Sequence, residues 1–140
     1  MGLKEYFRRE RRHQPRHSIF TMVDFCAWDT SRKRPCSEKG SGCLTDISSK
    51  GACLETRSLQ MRDYHLFLDD DPRGKIVLGL EIPSGEGEEH YWIQSRVVAY
   101  DKFPEKKDRP FHVRLQFVNS SPSDAKKIEE LIRALEAGKK

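Results

Sequence analysis

"FHVRLQFVNSSPSDAKKIEELI", residues 111–132, changes period part-way along. Phe111, Val113, Leu115 and Phe117 alternate with His112, Arg114 and Gln116. A period of two sets the apolar residues on one face of a strand and the polar ones on the other. From Ser121 the pattern becomes helical. Ile128, Leu131, Ile132 and Leu135 fall at i, i+3, i+4 and i+7, which is one apolar stripe. Ser121 suits an N-cap, Pro122 the first turn, Asp124 the position three after the cap, and Gly138 the stop. The chain is therefore predicted to end in a half-buried strand and an amphipathic helix over about residues 122–137.

Working towards the N-terminus, further stretches read as strands. They are "SIFTMVDFCAW" (18–28), "CLTDIS" (43–48), "ACLET" (52–56), "KIVLGLEIP" (75–83) and "HYWIQSRVVAYD" (90–101), all rich in β-branched or aromatic types. "DTSRKRPCSEKGSG" (29–42) is turn-rich and reads as a surface loop, and "SGEGEE" (84–89) as a hairpin loop. "LQMRDYHLFLDDDPRG" (59–74) fits neither period. The lone Gly51 signals a bulge or a close backbone approach. About six short strands followed by one helix predict a mainly-β fold, a six-stranded antiparallel barrel over about residues 18–119. The C-terminal helix would cover an opening or an edge.

Composition agrees. The 140 residues suit one domain, and 36% apolar against 34% charged residues leaves a lean core, as a small barrel needs. No run of 18 apolar residues exists, so no bilayer-spanning segment is expected. The start "MGLKEYFRRERR" lacks the apolar stretch and cleavage site of a secretory signal, so the cytoplasm is the expected compartment. The four cysteines, at 26, 36, 43 and 53, form no C-x-x-C pair, and reduced, partly buried thiols are expected. Cys26 with Cys53, and Cys36 with Cys43, are equally spaced about Lys39-Gly40. A hairpin centred there would bring each pair face to face.

Nothing in the sequence supports an enzyme. No G-x-S-x-G, H-E-x-x-H or phosphate-loop signature occurs, and the five histidines sit beside no obvious nucleophile. Asp69-Asp70-Asp71 is cut short by Pro72, so it reads as a solvated turn, and no metal site is expected. Net charge is +4, but Arg8, Arg9, Arg11, Arg12 and Arg16 concentrate it near the start, where only Glu10 opposes them. Such a field draws phosphates. Within it, Arg12 and Arg16 bracket "HQP", and each guanidinium can fork onto a phosphate or a guanine edge, or stack on a base. Downstream, "DISSKG" offers Asp46 for the guanine N–H donors, Ser48 for a phosphate or base, and Gly51 for close backbone approach. Arg114 could add a phosphate contact or face solvent.

In their order and spacing, "RHQPR" (12–16) and "DISSKG" (46–51) resemble the R-x-x-x-R and D/N-x-S-x-x-G signatures of the PilZ domain family, the bacterial receptors for cyclic di-GMP. "FHVRLQFVNSSPSDAKKIEELI" is similar to the family's last strand and helix. The resemblance covers roughly residues 11–136, so residues 1–10 would be a flexible basic arm and residues 11–137 a PilZ domain. It implies a non-enzymatic barrel needing no cofactor, in which Arg12 and Arg16 clamp cyclic di-GMP against Asp46, Ser48 and Gly51. Ser49 and Arg114 are additional candidates. Arg11, just before the first signature arginine, implies an intercalated ligand dimer. Ligand binding would order the arm and signal to an unidentified downstream protein. The interval from Arg16 to Asp46 is long for the family. The alternative is a single-stranded nucleic-acid-binding barrel, with Tyr91 and Trp92 as stacking residues, although the more usual place for Trp92 is the core. The paired signatures favour the nucleotide, and nucleic acid is not the expected partner.

Overall fold

The computed structural model describes residues 17–83 and 90–137. Seven strands and one helix follow one another: β1 (His17–Asp29), β2 (Arg34–Pro35), β3 (Gly40–Ile47), β4 (Gly51–Thr56), β5 (Ile76–Pro83), β6 (His90–Lys102), β7 (Phe111–Phe117) and α1 (Pro122–Ala137). Six of the strands form an antiparallel ring in the order β1-β3-β4-β7-β6-β5, which a β5–β1 pairing closes. The two-residue β2 is an addition at the end of β1, within the stretch expected to be loop. Closure gives every ring strand a strand neighbour on each side along at least part of its length.

One long strand makes the closure possible. The first part of β1 pairs with β3, from His17↔Ile47 to Phe25↔Gly40, and its last part with β5, from Asp24↔Glu81 to Asp29↔Ile76. Period-two alternation then fills the interior. Val23, Phe25, Ala27, Leu44, Leu54, Leu78, Leu80, Val113 and Leu115 are buried in one core cluster. Each large aliphatic side chain so buried contributes about 1.5–3 kcal/mol. Ser95 also points inward, where its hydroxyl donates to the Leu78 carbonyl at 3.0 Å.

Helix α1 lies against β1 and β6 and adds Ile128, Leu131 and Ile132 to the core, with Leu135 half-buried beside them. Its start is reciprocal: Asp124 N–H donates to Ser121 Oγ at 3.1 Å, and Ser121 N–H donates to Asp124 Oδ2 at 2.9 Å. Hydrogen bonds from the Ser121 backbone N–H and from its side chain hold the Asp124 carboxyl below the usual carboxylate range. The segment that fitted neither period is a run of turns with one bridge, Gln60↔His65, and it buries Leu59, Tyr64 and Leu66.

Two expectations are corrected. Trp92 is not in the core. Ile93, Ser95 and Val97 take the inward face of β6, so Trp92 points outward, where it lies over Gly79 and meets Trp28 edge to face at 4.8 Å. The symmetric cysteine register does not form either. Cys43 pairs with Met22, Cys26 with Gly79, and Cys53 with both Asp46 and Arg114. The hairpin instead brings Phe25 opposite Gly40, because that register keeps Val23 and Phe25 inside. None of the four cysteines is in a disulfide among the described residues.

Candidate functional site

The corner "DISSKG" joins β3 to β4. Ser48 N–H donates to the Gly51 carbonyl at 2.8 Å. Ser48 Oγ donates to the same carbonyl at 3.2 Å and accepts the N–H groups of Lys50 and Gly51, both at 3.3 Å. A hydroxyl has one proton and two lone pairs, so the capacity of this buried Ser48 is taken up within the turn. Its part in any site is the shape of the corner. Ser49 and Lys50 are exposed at the tip. Gly51 is needed for room. A Cβ there would lie 2.2 Å from the Leu115 carbonyl oxygen on β7, which is the close backbone approach anticipated from its isolation.

A bulge sets the direction of Asp46. Leu44 pairs with Leu54 and Asp46 with Cys53, so β3 holds an extra residue, Thr45, between them. Leu44 and Ile47 both enter the core, and the inserted residue allows Asp46 to stand on the outer face between them. Register extends the outer row: Asp46 opposite Cys53 on β4, Cys53 opposite Arg114 on β7. At one strand spacing per step, Asp46 and Arg114 are about 10 Å apart across the row. Arg114 is exposed, and so is Gln116, one step along the same face and paired with Gly51. Gln116 was not among the candidate residues, although its alternation with Leu115 already placed it beside Arg114.

The other motif enters this row through β1. Ser18 pairs with Asp46 and His17 with Ile47, so strand pairing sets position 18 beside the carboxylate of the second motif. Arg11, Arg12 and Arg16 lie outside the described residues. Arg16 precedes that pairing by two positions in sequence.

A cluster of charge borders the row on its other side. Glu55, two residues beyond Cys53, is only 7% exposed. It takes His112 Nε2 at 2.6 Å and Lys106 Nζ at 2.8 Å, with Arg109 Nε at 3.8 Å. Phe103 packs on His112 with ring centroids 4.6 Å apart. One carboxylate thus holds the β6–β7 loop over the outer face of β4 and β7. Among the described residues no group of three or more His, Cys, Asp or Glu side chains could hold a metal ion. No described helix is long and apolar enough to cross a membrane.

These features meet in a recognisable arrangement: a six-stranded ring closed by its first strand, a bulged β3, a tight β3–β4 corner and a terminal helix on the core. The fold is that of PilZ domains. The chain is similar to the PilZ domain with c-di-GMP of YcgR from Escherichia coli, with TM-score 0.61 and 14% identity over 91% of this chain and 92% of that one. It is also similar to the PilZ domain of CeSA from a cellulose-synthesizing bacterium, with TM-score 0.58 and 12% identity over 87% and 98%. A third similarity is to the inhibitor of motility MotI/DgrA of Bacillus subtilis, with TM-score 0.57 and 15% identity. It covers 92% of this chain and 51% of that one. No family model and no curated sequence matches the chain.

Proposed function

We propose that the chain is a cyclic di-GMP receptor, a binding domain and not an enzyme. The observation that supports this reading is the Ser18↔Asp46 pairing, which sets a position two residues after Arg16 in sequence opposite Asp46 of the "DISSKG" corner. Asp46 would accept from the guanine N1–H and N2–H donors. Arg12 and Arg16 would fork onto phosphate and stack on the base, with Arg114 on the far side of the row. Ser48 and Gly51 hold the corner in shape, and Ser49 and Gln116 line its edge. Arg11 would supply the further stacking plane for an intercalated ligand dimer. Similarity to a PilZ domain that holds c-di-GMP supports the choice of nucleotide.

Micromolar affinity requires about 8 kcal/mol, and charge-assisted hydrogen bonds contribute roughly 1.5–3 kcal/mol each. Three or four contacts suffice before ordering costs of about 1–2 kcal/mol per residue along residues 11–16. The affinity therefore depends on both motifs acting together. Ligand-dependent ordering of the arm would present a changed surface to a downstream protein.

Calorimetric titration with cyclic di-GMP tests the reading. Binding that is lost in Arg16→Ala and in Asp46→Ala supports it, and two ligands per chain falling to one in Arg11→Ala supports the dimer. Absence of heat at tens of micromolar ligand (about 6 kcal/mol of affinity) rejects it.

A further inference from the structure

Across the barrel from that row, the outer face of β1, β5 and β6 carries a second set of groups with their own chemistry. Gly79 has no side chain, so the indole of Trp92 lies over it. A Cβ on Gly79 would fall 2.0 Å from Trp92 Cη2 and 2.4 Å from Cζ2. One face of the ring rests on the sheet and 42% of the residue remains exposed, with Trp28 packed edge to face against it. The ring thus presents apolar surface to solvent from a fixed position on the strand.

Cations gather beside it. The turn after β1 presents Arg32, Lys33 and Arg34, all exposed, with Lys33 at φ +53°. Asp29 builds that turn, its Oδ1 accepting the N–H groups of Ser31 and Arg32 and the Ser31 hydroxyl, and it is itself buried. Thr30 ties the turn to residues 74–75, its N–H donating to the Lys75 carbonyl at 2.9 Å and its hydroxyl to Gly74 at 3.0 Å. Arg73 and Lys75, both exposed, therefore join the same patch. Arg32, Lys33, Arg34 and Lys75 have no ion-pair partner among the described residues.

Between Trp28 and the cations runs a cleft of about 340 Å³, lined by Trp28, Thr30, Lys33, Gly74, Gln94 and Asn119, with no carboxylate among them. Gln94 and Asn119 also line a neighbouring cavity of about 550 Å³ that continues past Trp92 to α1, where Lys127 stands between Asp124 and Glu130 on its wall. Asn119, at φ +56°, donates through Nδ2 to Gln94 Oε1 at 2.8 Å. That bond leaves Asn119 Oδ1 and Gln94 Nε2 as an acceptor and donor pair for a base edge.

We propose that this cleft binds single-stranded nucleic acid, with bases on Trp92 and the Gln94–Asn119 amides and phosphates on the Arg32–Arg34 turn and Lys75. An acidic peptide would use the cations but neither the flat ring nor the amide pair, so the observations favour the nucleotide chain. The surface is separate from the proposed cyclic di-GMP site and stands or falls independently of it.

The two tryptophans of the chain are this pair, so tryptophan emission reports on this face of the barrel. The full chain is titrated with fluorescein-labelled oligothymidylate of about twelve residues, reading anisotropy and tryptophan emission together. Expected are quenching that tracks the anisotropy and a log–log salt slope of about −3, for about four phosphates. Trp92→Phe should weaken binding several-fold, and the Lys33→Glu, Arg34→Glu double variant roughly tenfold or more. The far-UV circular dichroism and urea midpoint of these variants should match wild type, which shows that they are folded. Anisotropy rising without quenching would place the strand elsewhere and overturn the proposal. Equal affinity for polyglutamate or heparin, or unchanged binding in both variants, would overturn it too.

Discussion

Gly51 runs so close to Leu115 that a Cβ on it would sit 2.2 Å from the Leu115 carbonyl oxygen. That oxygen belongs to the backbone of β7 and cannot swing aside as a side chain would. Gly51→Ala must therefore push β4 from β7 at the candidate site. Overpacking of this kind costs about 1–3 kcal/mol, seen as a lower urea midpoint. A midpoint equal to wild type would show that the strands yield freely there.

Ser48 and Asp46 belong to one motif but should separate in experiment. Ser48→Ala removes a buried hydroxyl that makes three contacts within the turn, and should lower stability by about 1–3 kcal/mol. Asp46 stands on the outer face of β3, half-buried, so Asp46→Asn should lower the urea midpoint less than Ser48→Ala does and remove ligand heat. Calorimetry and chemical denaturation on both variants distinguish shape from contact.

Thiol chemistry should be slow and selective. Burial pushes the Cys26, Cys36 and Cys43 thiols above their ordinary range, with Cys36 adding to the shift at Cys26, and Asp29 and Asp63 adding to that at Cys36. Cys36 is exposed, whereas Cys26, Cys43 and Cys53 are buried. Native protein at neutral pH should react with Ellman's reagent at one thiol per chain, and unfolded protein at all four. Cys36→Ser should abolish the native signal, and a second fast-reacting thiol would contradict the assignment.

Acid should act on three turns at once. Backbone N–H donors hold the carboxyls of Asp29, Asp71 and Asp124 below their ordinary value of 3.8. A depressed carboxylate stabilises the fold fully above its unfolded value and loses that contribution as pH falls through the lower folded value. The loss lies below pH 3.8. Asp124→Asn should therefore reduce helix stability at neutral pH and flatten the acid limb of the stability curve, measured by circular dichroism. An acid limb unchanged from wild type would show that the Ser121–Asp124 pairing contributes nothing to it.

Much of the barrel was legible because period two is visible wherever one face is apolar and the other polar, as in β7. In β6 the rule fails, since inward Ser95 is polar while outward Trp92 and Val98 are apolar. Alternation tells which residues share a face, not which face is inside. The capping box of α1 was readable as a local motif, whereas the β1–β5 closure depends on contacts some fifty residues apart and leaves no local mark. Asp46, Ser48 and Gly51 were named from spacing. That the Ser48 hydroxyl closes its own turn, and that Glu55 gathers Lys106, Arg109 and His112, appears only when strands far apart in sequence are neighbours.

The strand that closes the ring begins one residue after Arg16. Its first half is a seam with β3 and its second half a seam with β5, so β1 is the hoop on which the barrel is fastened. Arg16 is joined by one peptide bond to His17, the first residue of that hoop. The same strand ends at Asp29, so the one hoop links the corner with Asp46 to the face that carries Trp28.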